Sequence, residues 1–265
     1  MSMSTIELVH AHGFKCAGTT FSASLAANYL DEFRCIEPRK SRILGWEEVS
    51  VYANAIGIKA LSSHSLCIPK NVRKETIFVH LIREPNARWV SAWRFESGVQ
   101  KTFVGTFTEY LASQAINKNL QSKILLQDHS NWNSELFVDD CEIADLFSHR
   151  PSVFLGVVER YDESMVVLED LLKRNSVIVD LSFPALINKA EKLKSDTDLE
   201  REIPADFVNI DRELLRLANI RLDLQISLIP NFQDLLRNFK ARCKLSKENS
   251  KLFEARVVTD NWQFV

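Results

Sequence analysis

A chain of 265 residues with 46% hydrophobic and 26% charged residues has the composition of a soluble globular protein, and it is long enough to bury a core without disulfides. The net charge of -2 excludes a general attraction to nucleic acid or to anionic membranes, so an anionic ligand must be bound by a local cluster of cations. No apolar run reaches the roughly 18 residues that a membrane-spanning helix requires.

The N-terminal part of the chain predicts a strand, a glycine-containing loop and a helix. The apolar run 6–12 ends at Gly13 and is typical of a buried strand. After the loop, Phe21, Leu25 and Tyr29 recur every four residues, as on one face of a helix. This order of elements is the context that a phosphate-binding loop requires.

Three more apolar runs predict strands further along the chain, at 55–63, 76–82 and 152–160. Pro85 can begin a helix after the second of these, since proline is tolerated in the first turn, and 161–174 has the apolar spacing of another helix. The charged stretch 191–204 is expected to be a surface loop or an exposed helix. From about 206 the pattern is helical, with a break at Pro230.

The alternation of strands and helices predicts an α/β fold. We expect a mainly parallel sheet flanked by helices, similar to P-loop NTPases, with a helical C-terminal part. No linker or repeat divides the chain, so we expect a single domain over 1–265. The five cysteines form no CxxC pair, and the N-terminus lacks a basic segment followed by an apolar run. Reduced thiols, the cytoplasm and no signal peptide are therefore expected.

The loop after the first predicted strand, "HGFKCAGTTF", is close to the nucleotide-binding pattern G-x-x-x-x-G-K-[ST]. Gly13, Gly18 and Thr20 are in register with that pattern, but Thr19 stands where it has its lysine. The loop contains a different lysine, Lys15. Backbone N–H groups, the two threonine hydroxyls and the Lys15 ammonium still predict an anion site at the start of the helix. The alternative is a plain strand-to-helix turn.

A second polar cluster follows the strand predicted at 76–82. Arg83 comes at the end of that strand, and Ser91 lies about two helical turns beyond Pro85. An arginine and a hydroxyl in these positions could bind one phosphate together, with the arginine bidentate. The alternative is a surface arginine beside a helix.

Four segments together resemble the sulfotransferase family. "HAHGFKCAGTTF" resembles its 5′-phosphosulfate loop, in which a lysine comes early and two threonines follow the last glycine. "LIREPNARWVSAWR" resembles its 3′-phosphate motif R-D-P-x-x-R-x-x-S-x-[YW], with Glu84 in place of aspartate. "KNLQSKIL" resembles N-x-x-T-R, with Ser122 and Lys123 as departures, and "FLGVVERYDES" resembles F-V-G-L-x-E-R-F-D-E-S. The subgroup most resembled is the heparan sulfate 2-O- and 6-O-sulfotransferases and their bacterial relatives.

This resemblance implies an enzyme that uses 3′-phosphoadenosine 5′-phosphosulfate (PAPS) as donor and a hydroxyl acceptor, a carbohydrate or glycoconjugate. The implied donor-binding residues are Gly13, Phe14, Lys15, Cys16, Ala17, Gly18, Thr19, Thr20, Arg83 and Ser91. Lys15 would also be catalytic, stabilising charge on the leaving 5′-phosphate. No metal, nucleic acid or membrane span is implied. The competing hypotheses are a P-loop kinase or NTPase, which Thr19 disfavours, and a non-catalytic nucleotide-binding relative.

A general base is needed to deprotonate the acceptor hydroxyl. The carbohydrate members of the family use histidine or glutamate, and His64 lies near the position of their G-H pair, although Ser63 replaces the glycine. We predict His64 as the base. His12 and a carboxylate are the alternatives, and His80 is expected to be structural within its strand.

Three smaller predictions concern side chains near these segments. The Cys16 thiol is expected to be an inert small side chain. Trp89 and Trp93 are expected to pack against their helix's neighbours, with stacking on adenine or sugar as the alternative. Lys118 and Lys123 are expected either to contact an anionic acceptor or to be solvated.

Overall fold

The computed structural model describes residues 6–40, 42–71, 75–136, 150, 152–183, 194–247 and 262–265. Its centre is a six-stranded sheet in the order β5-β4-β1-β3-β2-β6, and every pairing in it is parallel. The strands are β1 (Leu8–Ala11), β2 (Phe33–Glu37), β3 (Ala60–Ser63), β4 (Ile77–Ile82), β5 (Val153–Val157) and β6 (Trp262–Phe264). The predicted α/β class with a parallel sheet is therefore confirmed.

Helices flank the sheet and form most of the C-terminal part. The described α-helices are α1 (Gly18–Tyr29), α2 (Trp46–Ala55), α3 (Pro85–Arg94), α4 (Phe107–Ser113), α5 (Leu120–Leu126), α6 (Tyr161–Arg174), α7 (Lys194–Glu202), α8 (Asn209–Ser227) and α9 (Phe232–Lys247). A π-helical segment, Phe95–Gln100, continues α3. None of the helices in the described ranges is long and apolar enough to cross a membrane.

Several predicted elements agree with the structure, and others need correction. The helices expected at Pro85 and over 161–174 are present, and the charged stretch contains α7. The strand predicted over 55–63 begins only at Ala60, because α2 occupies the preceding residues and Gly57, with φ +74°, turns the chain. The C-terminal part is not wholly helical, since it ends in β6, which pairs with β2 at the sheet edge.

The apolar core explains why the short strands form where they do. All four residues of β1, all six of β4 and all five of β5 are buried, as expected for a parallel sheet covered on both faces. A second apolar cluster includes Trp89 of α3, Tyr110 of α4, Phe207 and their neighbours. This cluster packs α3 against α4 and the segment before α8.

A buried carboxylate connects helix α8 to helix α5. Asp211 is fully buried, and its Oδ1 accepts hydrogen bonds from the backbone N (2.8 Å) and the Oγ (2.7 Å) of Ser122. Its Oδ2 accepts from the backbone N and the Nε2 of Gln121, at 3.4 and 3.3 Å. Four donors on α5 therefore depend on one side chain from the C-terminal half of the chain.

Replacement of this carboxylate should destabilise the protein strongly. We expect Asp211→Ala to lower the free energy of unfolding by on the order of 3 kcal/mol, because it leaves buried donors of α5 without an acceptor. Glu213→Ala, on the same helix but in a surface ion pair with Arg216, should change it by about 0.5 kcal/mol or less. Urea unfolding measures both, and equal effects of the two substitutions would contradict this role of Asp211.

Candidate functional site

The predicted site residues lie at one edge of the sheet. Because all the strands are parallel, their carboxyl ends meet there, and ligands of such sheets bind beyond that edge. Arg83 follows β4, the loop 12–17 follows β1, His64 follows β3, and Glu37 is the last residue of the next strand, β2. The fold therefore places residues that are far apart in the sequence next to each other at this edge.

A cleft of about 1670 Å³ opens along this edge. Eight of the predicted residues contribute to its lining, in addition to His64: Phe14, Lys15, Ala17, Gly18, Thr19, Thr20, Arg83 and Ser91. Gly13 and Cys16 are buried and do not appear in the lining. The two polar clusters inferred from the sequence therefore face one common space.

The loop between β1 and α1 is a tight turn with two residues in the left-handed region. Lys15 and Ala17 are in the left-handed region, with φ of +67° and +59°, and the backbone N of Cys16 donates to the Gly13 carbonyl at 3.2 Å. Helix α1 then begins at Gly18 with no side-chain cap and no acidic residue in its first turn. Its first N–H groups and the positive end of its dipole are suited to an anion.

Gly18 is required by a close approach of His12. A Cβ at position 18 would lie 2.1 Å from Cε1 of the His12 ring, a distance that no side chain tolerates. The second glycine of the loop therefore has a packing role as well as the turn role predicted from the pattern.

Two cations of the cleft lie close to each other. Nη1 of Arg83 donates to the Lys15 carbonyl at 3.1 Å, and Nζ of Lys15 lies 4.0 Å from the centroid of the Phe95 ring. Burial lowers the pKa of Lys15, and the nearby Arg83 guanidinium lowers it further. Like charges held this closely are relieved by an anion bound between them.

Arg88, on helix α3, is a third cation of the cleft. It was not among the binding residues predicted from the sequence. Only 2% of it is exposed, and within the described part of the chain its Nε and Nη2 have no hydrogen-bond partner. Its guanidinium lies 4.6 Å from the Trp89 ring and contributes to the cleft lining. A buried guanidinium with unmade hydrogen bonds is costly, so this position favours an anionic ligand. The second arginine of the motif R-x-x-x-x-R-x-x-S could have identified Arg88 from the sequence.

Glu84, which stands in place of the aspartate of that motif, caps helix α3. Its carboxylate accepts a hydrogen bond from the backbone N of Ala87 at 2.6 Å. This bond stabilises the first turn of the helix that carries Arg88 and Ser91.

The Gln121 side chain connects the loop 12–17 to the end of β4. This role was not predicted from the sequence. The side chain is fully buried, and its Oε1 accepts from the Arg83 backbone N at 2.7 Å and from Cys16 Sγ at 3.3 Å. Its Nε2 donates to the Arg83 carbonyl at 3.0 Å. Both polar clusters are thus held by one amide.

Four histidines lie along the same edge, in different environments. His64 is partly exposed and makes a 3.2 Å contact between Nδ1 and Oε1 of Glu37. The His12 ring is buried between His64 and His10, with ring centroids 3.9 and 4.3 Å away. His80 is fully buried, and its two ring nitrogens contact the carbonyls of Ala11 and Gln121. Among these four, His64 is the one with substantial exposure in the cleft.

Two of the smaller predictions can be compared directly with the structure. Cys16 is fully buried, and burial raises the pKa of its thiol to about 12, in line with an inert side chain. The prediction for Lys123 is wrong, because it is neither solvated nor in the cleft. It is 3% exposed, and its Nζ donates to the carbonyls of Ile116, Trp132 and Ser134.

No group of three or more His, Cys, Asp or Glu residues suited to a metal ion occurs within the described ranges.

Comparison with known proteins gives a weak likeness to solved structures. No protein-family model matches the chain, and no curated protein matches it. Among solved structures, the chain is similar to a sulfotransferase from Alicyclobacillus acidocaldarius, with 15% sequence identity and a TM-score of 0.43. The alignment covers 80% of this chain and 95% of that chain.

Acid should destabilise the protein through its buried histidines. Burial lowers the pKa of His10, His12 and His80, so the folded state keeps them neutral while the unfolded state binds protons below about pH 6.5. Stability present above that pH is then lost as the pH falls, by roughly 1.4 kcal/mol per pH unit for each histidine.

Urea unfolding at pH 7.5 and 5.5 measures this loss. His10→Asn should reduce the slope by about one proton, because it removes one of the three buried rings. A free energy of unfolding that is the same at both pH values would contradict the neutral, buried state of these rings.

Proposed function

We propose that this chain is a sulfotransferase that transfers a sulfuryl group from PAPS to a hydroxyl of a carbohydrate or glycoconjugate, within a single domain over 1–265. The observation that carries the proposal is the meeting of two clusters of cations and hydrogen-bond donors in one cleft. One is the loop with Lys15, and the other is formed by Arg83, Arg88 and Ser91. PAPS carries phosphate at both its 5′ and 3′ positions and so offers an anion to each cluster.

The loop is the proposed site of the 5′-phosphosulfate. Its uncapped helix N-terminus and the half-buried Lys15 support this assignment, since both favour negative charge. Arg83 and Ser91 are the proposed ligands of the 3′-phosphate, and the unmade hydrogen bonds of Arg88 support an anion on the same side.

The proposed transfer has a simple balance of bonds. The acceptor oxygen forms a bond to sulfur while the bond between sulfur and the 5′-phosphate oxygen breaks. Adenosine 3′,5′-bisphosphate leaves with the electron pair of that bond, and the hydroxyl proton passes to a base, for which His64 is proposed. Lys15 stabilises the negative charge that develops on the leaving phosphate, and preorganised stabilisation of this kind is a large catalytic term.

Thr19 separates this proposal from a P-loop kinase or NTPase. In those enzymes a lysine at this position reaches the β- and γ-phosphates, whereas Thr19 here is an exposed hydroxyl at the cleft. PAPS has no γ-phosphate, so its loop has no need of that lysine. A non-catalytic relative that binds nucleotide would have the same two clusters. Only an activity measurement distinguishes such a protein from an active sulfotransferase.

The localisation and the partners that we propose for the enzyme are those expected from the sequence. We place the enzyme in the cytoplasm, with a small-molecule donor and a hydroxylated acceptor as its partners and with no metal or nucleic acid in its reaction.

The two-cluster assignment predicts selective binding of adenosine 3′,5′-bisphosphate. We expect it to bind roughly tenfold to a hundredfold more tightly than AMP, because one charge-assisted hydrogen bond to the 3′-phosphate can raise the affinity by about that factor. Calorimetry with both nucleotides and with magnesium ATP measures the preference. Tighter binding of ATP would support the kinase hypothesis instead.

Substitution at the second cluster provides the control for that measurement. Arg83→Ala should remove most of the preference for bisphosphate over AMP, whereas Arg174→Ala, at an exposed arginine that pairs with Asp170 on its own helix, should preserve it. An unchanged preference in Arg83→Ala would overturn the assignment of the 3′-phosphate site.

Lys15 is expected to act mainly in the transition state. Lys15→Ala should lower kcat by roughly 10² to 10³ while bisphosphate affinity falls much less, because the lysine stabilises charge that forms during transfer. An acceptor screen with labelled PAPS, read by mass spectrometry, supplies the substrate for these kinetics. Lys59→Ala is the matched control, since Lys59 pairs with Glu32 away from the cleft. A raised KM with unchanged kcat would limit Lys15 to binding.

A further inference from the structure

The end of β2 brings a carboxylate to His64. The pairing of β2 with β3 aligns Cys35 with Ser62, so that two residues further along Glu37 lies beside His64. The carbonyl of Glu37 also accepts a hydrogen bond from the backbone N of Val265 at 3.0 Å, which holds the end of the strand. The proximity of the two residues is therefore set by the sheet register.

One oxygen of Glu37 makes two contacts with His64. Its Oε1 accepts a hydrogen bond from the backbone N of His64 at 2.6 Å and lies 3.2 Å from Nδ1 of the ring. Only 13% of the Glu37 side chain is exposed, whereas 41% of the His64 side chain is. The first contact orients the carboxylate, and the carboxylate then orients the ring.

The contact selects one arrangement of the ring proton. A carboxylate accepts hydrogen bonds and does not donate them, so Nδ1 must carry the proton that it shares with Glu37. In the neutral ring the lone pair is then on Nε2. The hydrogen-bonding partner of one histidine nitrogen thus decides which nitrogen can act as a base.

The other neighbours of the ring are compatible with this arrangement. The His12 ring approaches from the end of β1, at 3.9 Å between centroids, and Phe14 approaches from the loop at 6.5 Å. Burial lowers the pKa of His12 well below its usual range, with further lowering by the neighbouring His64 and His10, so His12 is neutral near pH 7. Glu37 is a carboxylate in hydrogen-bonding contact with the His64 ring.

We propose that Glu37 is a positioning residue for His64, fixing the Nδ1–H tautomer so that Nε2 takes the proton of the acceptor hydroxyl. This inference rests on the proposed function, in which His64 is the base. During transfer the proton moves from the acceptor oxygen to Nε2, and Glu37 stays ionised and stabilises the imidazolium that forms. After bisphosphate and product leave, the proton passes to water and the pair is restored.

Two substitutions at Glu37 separate positioning from catalysis. Glu37→Gln keeps an oxygen that accepts from Nδ1 and from the His64 backbone, but its amide cannot take a proton. We expect it to retain kcat within about tenfold of the native enzyme, whereas Glu37→Ala should lose roughly 10²-fold, the lower end of the range for loss of a general base. The matched control, Glu47→Ala at an exposed position on α2, should leave kcat unchanged.

A second readout does not depend on turnover. Nitrogen-15 NMR of the imidazole distinguishes the two neutral tautomers, and we expect His64 to be in the Nδ1–H form in the native protein and in Glu37→Gln. Glu37→Ala should lose that preference. Calorimetry with adenosine 3′,5′-bisphosphate should give the same affinity for all variants, and thermal unfolding shows that each of them folds.

The outcomes distinguish this inference from the proposed function. If Glu37→Gln and Glu37→Ala are equally inactive, Glu37 is itself the base and the positioning role is wrong. If the native ring is in the Nε2–H form, the positioning role is also wrong. If the tautomer shifts as expected but adenosine 3′,5′-bisphosphate does not bind, the orienting contact is upheld and the sulfotransferase assignment fails.

Discussion

The parallel pairing of the central strands is the constraint on which the cleft depends. Each strand ends at the same edge, so the residue that follows it is delivered to that edge whatever the length of the connection. Residues from four neighbouring strands meet in this way: Glu37, His64, the loop 12–17 and Arg83. The chemistry of the site is therefore a consequence of strand order and register, since no local stretch of sequence contains more than part of it.

The loop gains its shape from packing as much as from its own conformational preferences. Its two left-handed residues, Lys15 and Ala17, are not glycines, and such conformations persist only where surrounding contacts hold them. His12 lies against Gly18 on one side, and Gln121 bonds to Cys16 on the other. An anion site made from backbone N–H groups needs this rigidity, because its donors must be in place before the ligand arrives.

Local patterns in the sequence were enough to predict the elements that carry most of the site. The strand, loop and helix around Gly13, and the strand and helix around Arg83, have strong apolar periodicity and clear turn residues. The strand β2 was not predicted, because Arg34 and Glu37 interrupt its apolar residues. The C-terminal strand β6 was not predicted, because it has three residues and its partner β2 is distant in the sequence. Without β2, Glu37 could not be placed beside His64. Arg88 was underestimated for another reason, because arginine is rarely buried and its lack of partners appears only in three dimensions.

The bond between Gln121 and Asp211 joins residues 90 positions apart, and it has a consequence for how the protein acquires its site. The loop and the end of β4 are synthesised early, but the amide that braces them is anchored by a helix that emerges much later. Contacts of such long separation form slowly, because the chain entropy of closing the loop must be overcome first. The nascent N-terminal half therefore leaves the ribosome without the carboxylate that anchors Gln121, and the loop 12–17 should reach its final rigidity only when α8 docks.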